Sequence, residues 1–382
     1  MKAPPTLLCT ATFPANTGFA WDFIERLYAR MANRLESDGV RTLVAYPEIG
    51  EPPLSLAGSA AIPVVLDTEL RNGIGRIKVA EFVRRENVQV VYFTDRPLWS
   101  PWYSSLRRAG VRRIIVHDHT SGERTVPRGV RRAIKRAIVN CPGFAADVVI
   151  AVSDFVAERD KAVTLIASDK IRRVWNGVDE IPAGSEDERH DIRSALGLGA
   201  DALVIGCACR ATRDKGVDVL FKAFDQAIQA SDTPAVLVYI GAGPAFDDLA
   251  ALRSSLTCAS RIHMMGYLPG AATLLRTADV CAVPSVWQDA FPLAVLEMMA
   301  RGRAVVATRV GGVPEMIEHS VSGILVAPDD VDALANALTT VLASADLRND
   351  LGRAARRRAS QLFTAERQVS EMLNTFQDVF SA

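Results

Sequence analysis

Short apolar, β-branched runs alternate with longer stretches of helical periodicity along the whole chain. In the first half the strand candidates are TLLCT (6–10), VRTLVAY (40–46), VQVVYFT (88–94), VRRIIVH (111–117) and DVVIAVS (147–153), with KIRRVWN (170–176) closing the series. Between the first two lies FAWDFIERLYARMANRLESDG, whose apolar residues recur at helical spacing and whose Gly39 marks the stop. The second half offers ALVIGCAC (202–209), AVLVYIG (235–241), RIHMMG (261–266), DVCAVPS (279–285), RAVVAT (303–308) and GILVAP (323–328). Each is followed by a loop with Gly or Pro and then a helical pattern. Apolar strands alternating with helices predict parallel sheets covered on both faces.

Two such series flank a polar segment, PAGSEDERHD (182–191), which reads as a linker. A chain of 382 residues is also long for a single core. The expected organisation is a Rossmann-like domain over 1–181, a second over 182–363, and a C-terminal segment, 364–382. Its helix, TAERQVSEMLNTFQDVF (364–380), has no following strand and is expected to pack back on the first domain. Two doubly wound domains leave a cleft between them, and ligands of open α/β sheets sit at the carboxyl ends of the strands.

Composition narrows the class. Hydrophobic residues make up 49% and charged residues 23%, ordinary for a soluble globular protein. The formal net charge is zero, but residues 1–180 hold 26 Lys/Arg against 20 Asp/Glu, leaving 18 against 24 in the remainder. A basic first half favours a negatively charged partner there. Zero net charge and no recognisable binding module argue against nucleic acid. The six cysteines are scattered without a CxxC pair, which predicts buried thiols in a reducing cytoplasm. No run approaches the roughly 18 apolar residues of a membrane span, and MKAPPTLLCTATFP is too short and Pro-interrupted for a signal peptide.

The loops after the strands carry the candidate chemistry. Arg210-Ala-Thr-Arg213-Asp-Lys215-Gly216 places three cations between a strand and a helix, as a phosphate site needs, although a solvated basic turn would look the same. Gly241-Ala-Gly243-Pro244 allows close backbone approach, to a ligand or within a tight turn. In PSVWQDAFPLAVLEMMARG (284–302), Pro292 is expected in the first turn of a helix that stops at Gly302. The N–H groups near Leu293 and Ala294 can then hold an anion, with Asp289 just ahead of the helix and Glu297 about one and a half turns in. Asp289 could instead be a plain N-cap and Glu297 a solvated helix residue. Val310-Gly-Gly-Val-Pro-Glu315 repeats the pattern of strand, glycine loop and helix start. In the first half, His117-Asp118-His119 follows a strand, and His117 is a candidate acid, base or hydrogen-bond donor. No metal is expected: His117-Asp118-His119 lacks further ligands at metal spacing, and Asp330-Val-Asp332 reads better as a helix cap.

Arg210…Lys215-Gly216, GAGP, MGYL, PSVWQDAFPLAVLEMMA and GGVPE, in this order, resemble the retaining glycosyltransferases of family 4. The resemblance is strong over 170–330, including Asn176-Gly-Val-Asp179, and rests on strand–helix order and His117-Asp118 before that. It implies the GT-B fold, an α/β architecture of two Rossmann-like doubly wound parallel-sheet domains facing a cleft. It implies a nucleoside diphosphate sugar as co-substrate, with no cofactor and no metal. Arg210 and Lys215 match the basic pair on the donor diphosphate. Glu297 matches the acid on the ribose hydroxyls, and Asp289 the acid near the reacting carbon. His117 matches the histidine contacting the donor sugar, and Met265-Gly266-Tyr267 the loop lining the base. The donor site implied also includes Gly18, Gly241, Gly243, Phe291, Leu293 and Ala294. Three departures stand out: Asp289 replaces the usual Glu, Phe291-Pro292 the usual Phe-Gly, and the first loop has one glycine, Gly18, where the family carries a pair.

The resemblance implies retaining transfer to an acceptor hydroxyl. Front-face attack is expected, with the departing diphosphate as base and Arg210, Lys215 and the helix start near Leu293 balancing its charge. Surface polysaccharide or glycolipid assembly is the expected setting. The alternatives are a non-catalytic nucleotide-sugar binding protein and a GT-B epimerase or hydrolase that needs no acceptor. Residues 107–136 carry ten cations against Asp118 and Glu123, and VRRAIKRAIV is a basic amphipathic helix candidate. It would touch anionic lipid or a lipid-linked acceptor at the inner face of a membrane, or else be a solvated helix face.

Overall fold

In the computed structural model, residues 4–69, 73–179, 194, 202–231, 233–268, 275 and 278–380 are described. The chain divides into two compact units, one of residues 1–120, 124–175 and 365–382, the other of 121–123 and 176–364. The expected linker, 182–191, lies outside the described residues.

The first unit holds a parallel sheet of β1 (Thr6–Thr10), β2 (Arg41–Tyr46), β3 (Ala61–Val65), β4 (Val88–Thr94), β5 (Arg113–Asp118), β6 (Val148–Ala151) and β7 (Ile171–Arg173). Their spatial order is β3-β2-β1-β4-β5-β6-β7. The apolar runs of the sequence become the buried centre, and β1 is enclosed along its whole length. β3 was not among the expected strands. Pro63 interrupts its run and three of its five residues are exposed, so it shows no two-faced apolar pattern. An outer place beside β2, with no further strand, tolerates both features. The helix Phe19–Glu36 lays Ile24, Leu27, Tyr28 and Met31 into the core. The C-terminal helix Ala365–Leu373 adds Val369, Met372 and Leu373 to that same core. Arg113 ties down the residues after it by pairing with Asp378, and Arg112 donates to the Val379 carbonyl at 3.3 Å.

The second unit holds β8 (Leu203–Ala208), β9 (Ala235–Ile240), β10 (Ile262–Met264), β11 (Val280–Val283), β12 (Ala304–Thr308) and β13 (Ile324–Val326). Their order is β10-β9-β8-β11-β12-β13, again with parallel pairing. In each sheet the strand order reverses once, between β1 and β4 and between β8 and β11. Such switch points open a crevice at the strand ends. The helices Val217–Gln229 and Val331–Ala343 pack on one another, the first through fully buried Phe221 and Phe224. Asp330 caps the second by accepting from the Ala333 amide at 2.8 Å, as the capping reading of Asp330-Val-Asp332 required. Both units are α/β with parallel sheets, the composition of a GT-B fold.

Candidate active site

The loops leaving β8 and β11 meet at the switch point of the second unit. The Val286 and Trp287 amides donate to the Asp214 carbonyl at 3.0 and 3.2 Å, stitching the 213–215 turn onto the 284–288 loop. This brings Lys215 Nζ to 2.5 Å from Asp289 Oδ1. The other carboxylate oxygen, Oδ2, accepts from Ser285 Oγ at 2.6 Å. Asp289 is buried, whereas Lys215 is partly accessible. Ser285 is fixed in turn, because its carbonyl accepts from Thr308 Oγ1 at 2.5 Å. Asp289 also acts through its backbone: its carbonyl accepts from the Gly312 amide at 2.9 Å, while Gln288 Oε1 accepts from the Gly311 amide at 2.5 Å. Ser285 and Gln288 were not singled out in the sequence. Their signal would have been position alone, since each follows an apolar strand within the loop that carries Asp289.

Arg210 is exposed, and among the described residues its side chain makes no ion pair and no hydrogen bond. A guanidinium held at a strand end without an internal partner keeps its five donors for a ligand. Gly241 and Gly243 stand where the loops after β8 and β9 touch. A Cβ on Gly241 would lie 1.9 Å from the Cys209 carbonyl oxygen, and one on Gly243 2.5 Å from that of Ala211. Close backbone approach within the unit therefore accounts for both glycines. Met265 is half-buried, its amide donating to Tyr239 O at 2.9 Å, and Tyr267 is 71% exposed.

The helix expected after Phe291 runs over Leu293–Ala300, with Pro292 just before it rather than in its first turn. Its first N–H groups, at half-buried Leu293 and Ala294, have no intrahelical acceptor by helix geometry. Phe291 is turned inward and packs edge-on against Phe363 at 5.6 Å between centroids. Its side chain supports the helix start from beneath. Glu297 lies on the helix with partial exposure, and its Oε2 is 3.5 Å from Nη1 of Arg301 one turn on. Arg301, itself nearly enclosed, also donates to the Glu297 carbonyl at 3.1 Å.

In the first unit His117, the last residue but one of β5, is fully enclosed. Its Nδ1 is 2.6 Å from Tyr92 Oη and 3.0 Å from Nε2 of His119, and its own Nε2 is buried without a partner. Burial holds the His117 imidazole neutral, well below its ordinary titration range, and His119 close by acts in the same direction. His119 is only partly buried, and burial lowers its pKa to about 4 despite the neighbouring Asp118. Asp118 is spoken for by a buried ion pair with Arg159 at 2.9 Å. Asp95, which follows β4, accepts from the His119 amide at 2.7 Å. Gly18 stands directly before the first helix at φ 123°. Its loop is pinned by Asn16, which donates to the Pro52 carbonyl at 3.2 Å and accepts from the Leu54 amide at 3.0 Å. Of the candidate residues, the fold thus gathers Lys215 and Asp289 with Ser285, and sets Arg210 beside them in the chain. Gly18 and His117 belong to the other unit.

The cysteines form no disulfide. Cys9, Cys207, Cys258 and Cys281 are buried, and burial raises the Cys281 thiol to about 12. Among the described residues no group of three His, Cys, Asp or Glu side chains could hold a metal ion.

Comparison with known proteins places this arrangement. The family described as "Glycosyltransferase Family 4" matches residues 24–180, and "Glycosyl transferases group 1" matches residues 202–344. A D-inositol 3-phosphate glycosyltransferase of Saccharomonospora viridis is 33% identical over 247 residues, spanning 62% of this chain and 57% of that protein. The chain thus spans somewhat over half the length of the curated relatives it matches. Among solved structures, a glycosyltransferase from Rickettsia africae superposes with a TM-score of 0.82 at 20% identity, covering 99% of this chain and 98% of that one. Anabaena HepE in complex with UDP-glucose superposes at 0.76 with 19% identity, covering 98% of this chain and 100% of that one. With two matches in tandem over most of its length and two parallel-sheet units of the GT-B kind, the chain belongs to the group 1, family 4 glycosyltransferases.

Proposed function

We propose that this chain is a retaining glycosyltransferase that moves a sugar from a nucleoside diphosphate sugar to an acceptor hydroxyl in surface polysaccharide or glycolipid assembly. The observation that carries the proposal is the Lys215–Asp289–Ser285 cluster at the switch point of the second sheet, with exposed Arg210 on the same loop as Lys215. The donor class draws support from HepE, a fold neighbour solved with UDP-glucose. The name of the Saccharomonospora viridis relative supports a hydroxylated, charged acceptor.

In this reading the acceptor oxygen bonds to the anomeric carbon on the face from which the diphosphate leaves. The bond from that carbon to the diphosphate breaks, and the acceptor proton passes to a departing phosphate oxygen. Arg210, Lys215 and the N–H groups at Leu293 and Ala294 balance the charge that develops there. Protein cations would do this without a metal ion. Asp289, held at both oxygens, presents a fixed negative edge towards the sugar and orients the Lys215 ammonium. Glu297 accepts from the ribose hydroxyls, and Met265 and Tyr267 line the base. His117, enclosed as it is, acts by orienting His119.

The test is thermal stabilisation by UDP, GDP, ADP and dTDP and their sugars, on wild type, Lys215→Ala and Glu297→Ala. A ligand of the folded state must raise the melting temperature. One base series should stabilise wild type and neither variant, and turnover of that donor should require an acceptor. Stabilisation without turnover on any acceptor would mark a binding protein, and product from donor alone an epimerase or hydrolase. A panel without any shift sinks the donor-site reading.

A further inference from the structure

The helix Gly129–Val139 sits inside out on its unit. An amphipathic helix of a globular protein normally turns its apolar stripe to the core. Here Val130, Ile134 and Ile138, spaced four apart on one face, are 76%, 55% and 41% exposed, and Val126 just ahead of the helix is 44% exposed. The anchoring face is the other one. Val139, the one buried residue of the helix, lies about half a turn round from Val130 by helix geometry. On that same side Arg132 donates to the Ala162 carbonyl at 3.3 Å. The aliphatic stripe therefore points away from the body of its unit.

Cations frame the stripe. Arg124, Arg128, Arg131, Arg132 and Arg136 are exposed and Lys135 is half-buried, while Glu123 is the single acid between residues 121 and 139. Of the four earlier cations of the basic segment, Arg108 is exposed and bonds only to Ser104 on its own helix, and the other three are committed elsewhere. Arg107 pairs with Asp147 at 2.9 Å, and Arg112 and Arg113 hold the C-terminal residues. Positive charge and exposed aliphatic side chains coincide over 124–136. A solvated helix face needs no such stripe, and a protein partner bound through three aliphatic residues would bury far less than the roughly 800 Å² per side of a stable interface. No helix among the described residues is long and apolar enough to cross a membrane.

We propose that Gly129–Val139 docks this chain on an anionic lipid bilayer, with Val126, Val130, Ile134 and Ile138 entering the headgroup–acyl boundary. Arg124, Arg128, Arg131, Lys135 and Arg136 lie at the level of the phosphates. Hydrophobic insertion and charge act together in reversible docking. The inference is independent of the transfer chemistry.

The test is co-sedimentation of the full chain with 100 nm vesicles of phosphatidylcholine alone or mixed with phosphatidylglycerol, at low and high salt. Wild type should bind the anionic vesicles and leave them as salt rises. Val130→Ser/Ile134→Ser/Ile138→Ser should weaken binding about tenfold or more. Arg131→Glu/Arg136→Glu should weaken it about twenty-five-fold or more, at about fivefold per cation removed. All these positions are exposed, so thermal melts of the variants should coincide with wild type. Equal binding to neutral and anionic vesicles, or unchanged binding by either variant, overturns the proposal. So does a wild-type dimer in gel filtration that the serine variant converts to monomer, which would assign the stripe to a second copy of the chain.

Discussion

Lys215 Nζ and Asp289 Oδ1 stand 2.5 Å apart although 74 positions separate them in the chain, and they join the loops of β8 and β11 across the point where strand order reverses. The carboxylate is nearly sealed from water, so its charge depends on Lys215 and the Ser285 hydroxyl. Removing one partner of such a pair leaves the other uncompensated. Lys215→Ala is expected to lower stability by about 3 kcal/mol as well as to abolish transfer. Lys215→Met/Asp289→Leu should recover much of that stability and none of the activity. Denaturant melts of both variants check this, and a double variant no more stable than Lys215→Ala would mean the pair is not a coupled unit.

Gly311 sets the position of Asp289 from the other side. Its φ is 50°, and a Cβ there would lie 1.9 Å from the Asp289 carbonyl oxygen. Gly39 shares the left-handed conformation, at φ 70°, but has open space around it. Gly39→Ala should therefore cost about 1 kcal/mol, the conformational penalty alone. Gly311→Ala should cost clearly more, because backbone must move as well. Equal melting points for the two would show that the 288–312 contact yields easily.

Strands buried on both faces were plain in the sequence because their apolar runs are continuous, as in VQVVYFT and AVVAT. β3 was not, since AIPVV at the outer place shows neither alternation nor continuity. The chemistry was legible where it sits beside a strand end. Arg210, Lys215 and Asp289 follow β8 and β11, and topology brings two of them into contact. Side-chain direction was the part that spacing could not give. Phe291 turns under its loop and His117 is sealed against Tyr92, although both stand at positions that would equally well face solvent. VRRAIKRAIV was recognisably amphipathic, but only the packing of Val139 shows which way its apolar face points.

Arg210 offers a test free of folding effects. It is exposed and, among the described residues, forms no side-chain hydrogen bond or ion pair. Arg210→Ala should leave stability within about 0.5 kcal/mol of wild type. If the guanidinium holds the donor diphosphate, kcat/KM for the donor should fall roughly 10- to 100-fold, as the loss of a charge-assisted hydrogen bond of about 1.5–3 kcal/mol requires. Arg210→Lys should restore part of this, since a point charge replaces a fork. Steady-state kinetics at varied donor concentration decide it, and an unchanged kcat/KM removes Arg210 from the donor site.

Asp160 makes the pH dependence of stability testable. It is fully buried, Oδ1 accepts from Thr164 Oγ1 at 3.2 Å, and Oδ2 has no partner. Burial, with the Asp118 charge nearby, raises its pKa from 3.8 to about 7, against the opposing pull of Arg159. The folded state therefore binds a proton that the unfolded chain has already released between pH 4 and 7. The stability this contributes is complete below the unfolded value and is lost as pH rises through 7. Asp160→Asn keeps the shape and removes the charge. It should be nearly neutral at pH 5, where the wild-type carboxyl is protonated, and stabilising by about 1 kcal/mol or more at pH 8. His119, lowered to about 4, and His117, lowered by its own burial, shift the wild-type curve oppositely below pH 6.5. The difference between variant and wild type isolates Asp160 from both. Urea melts at the two pH values read that difference, and a variant destabilised equally at both would show that Asp160 is charged throughout and held by Arg159.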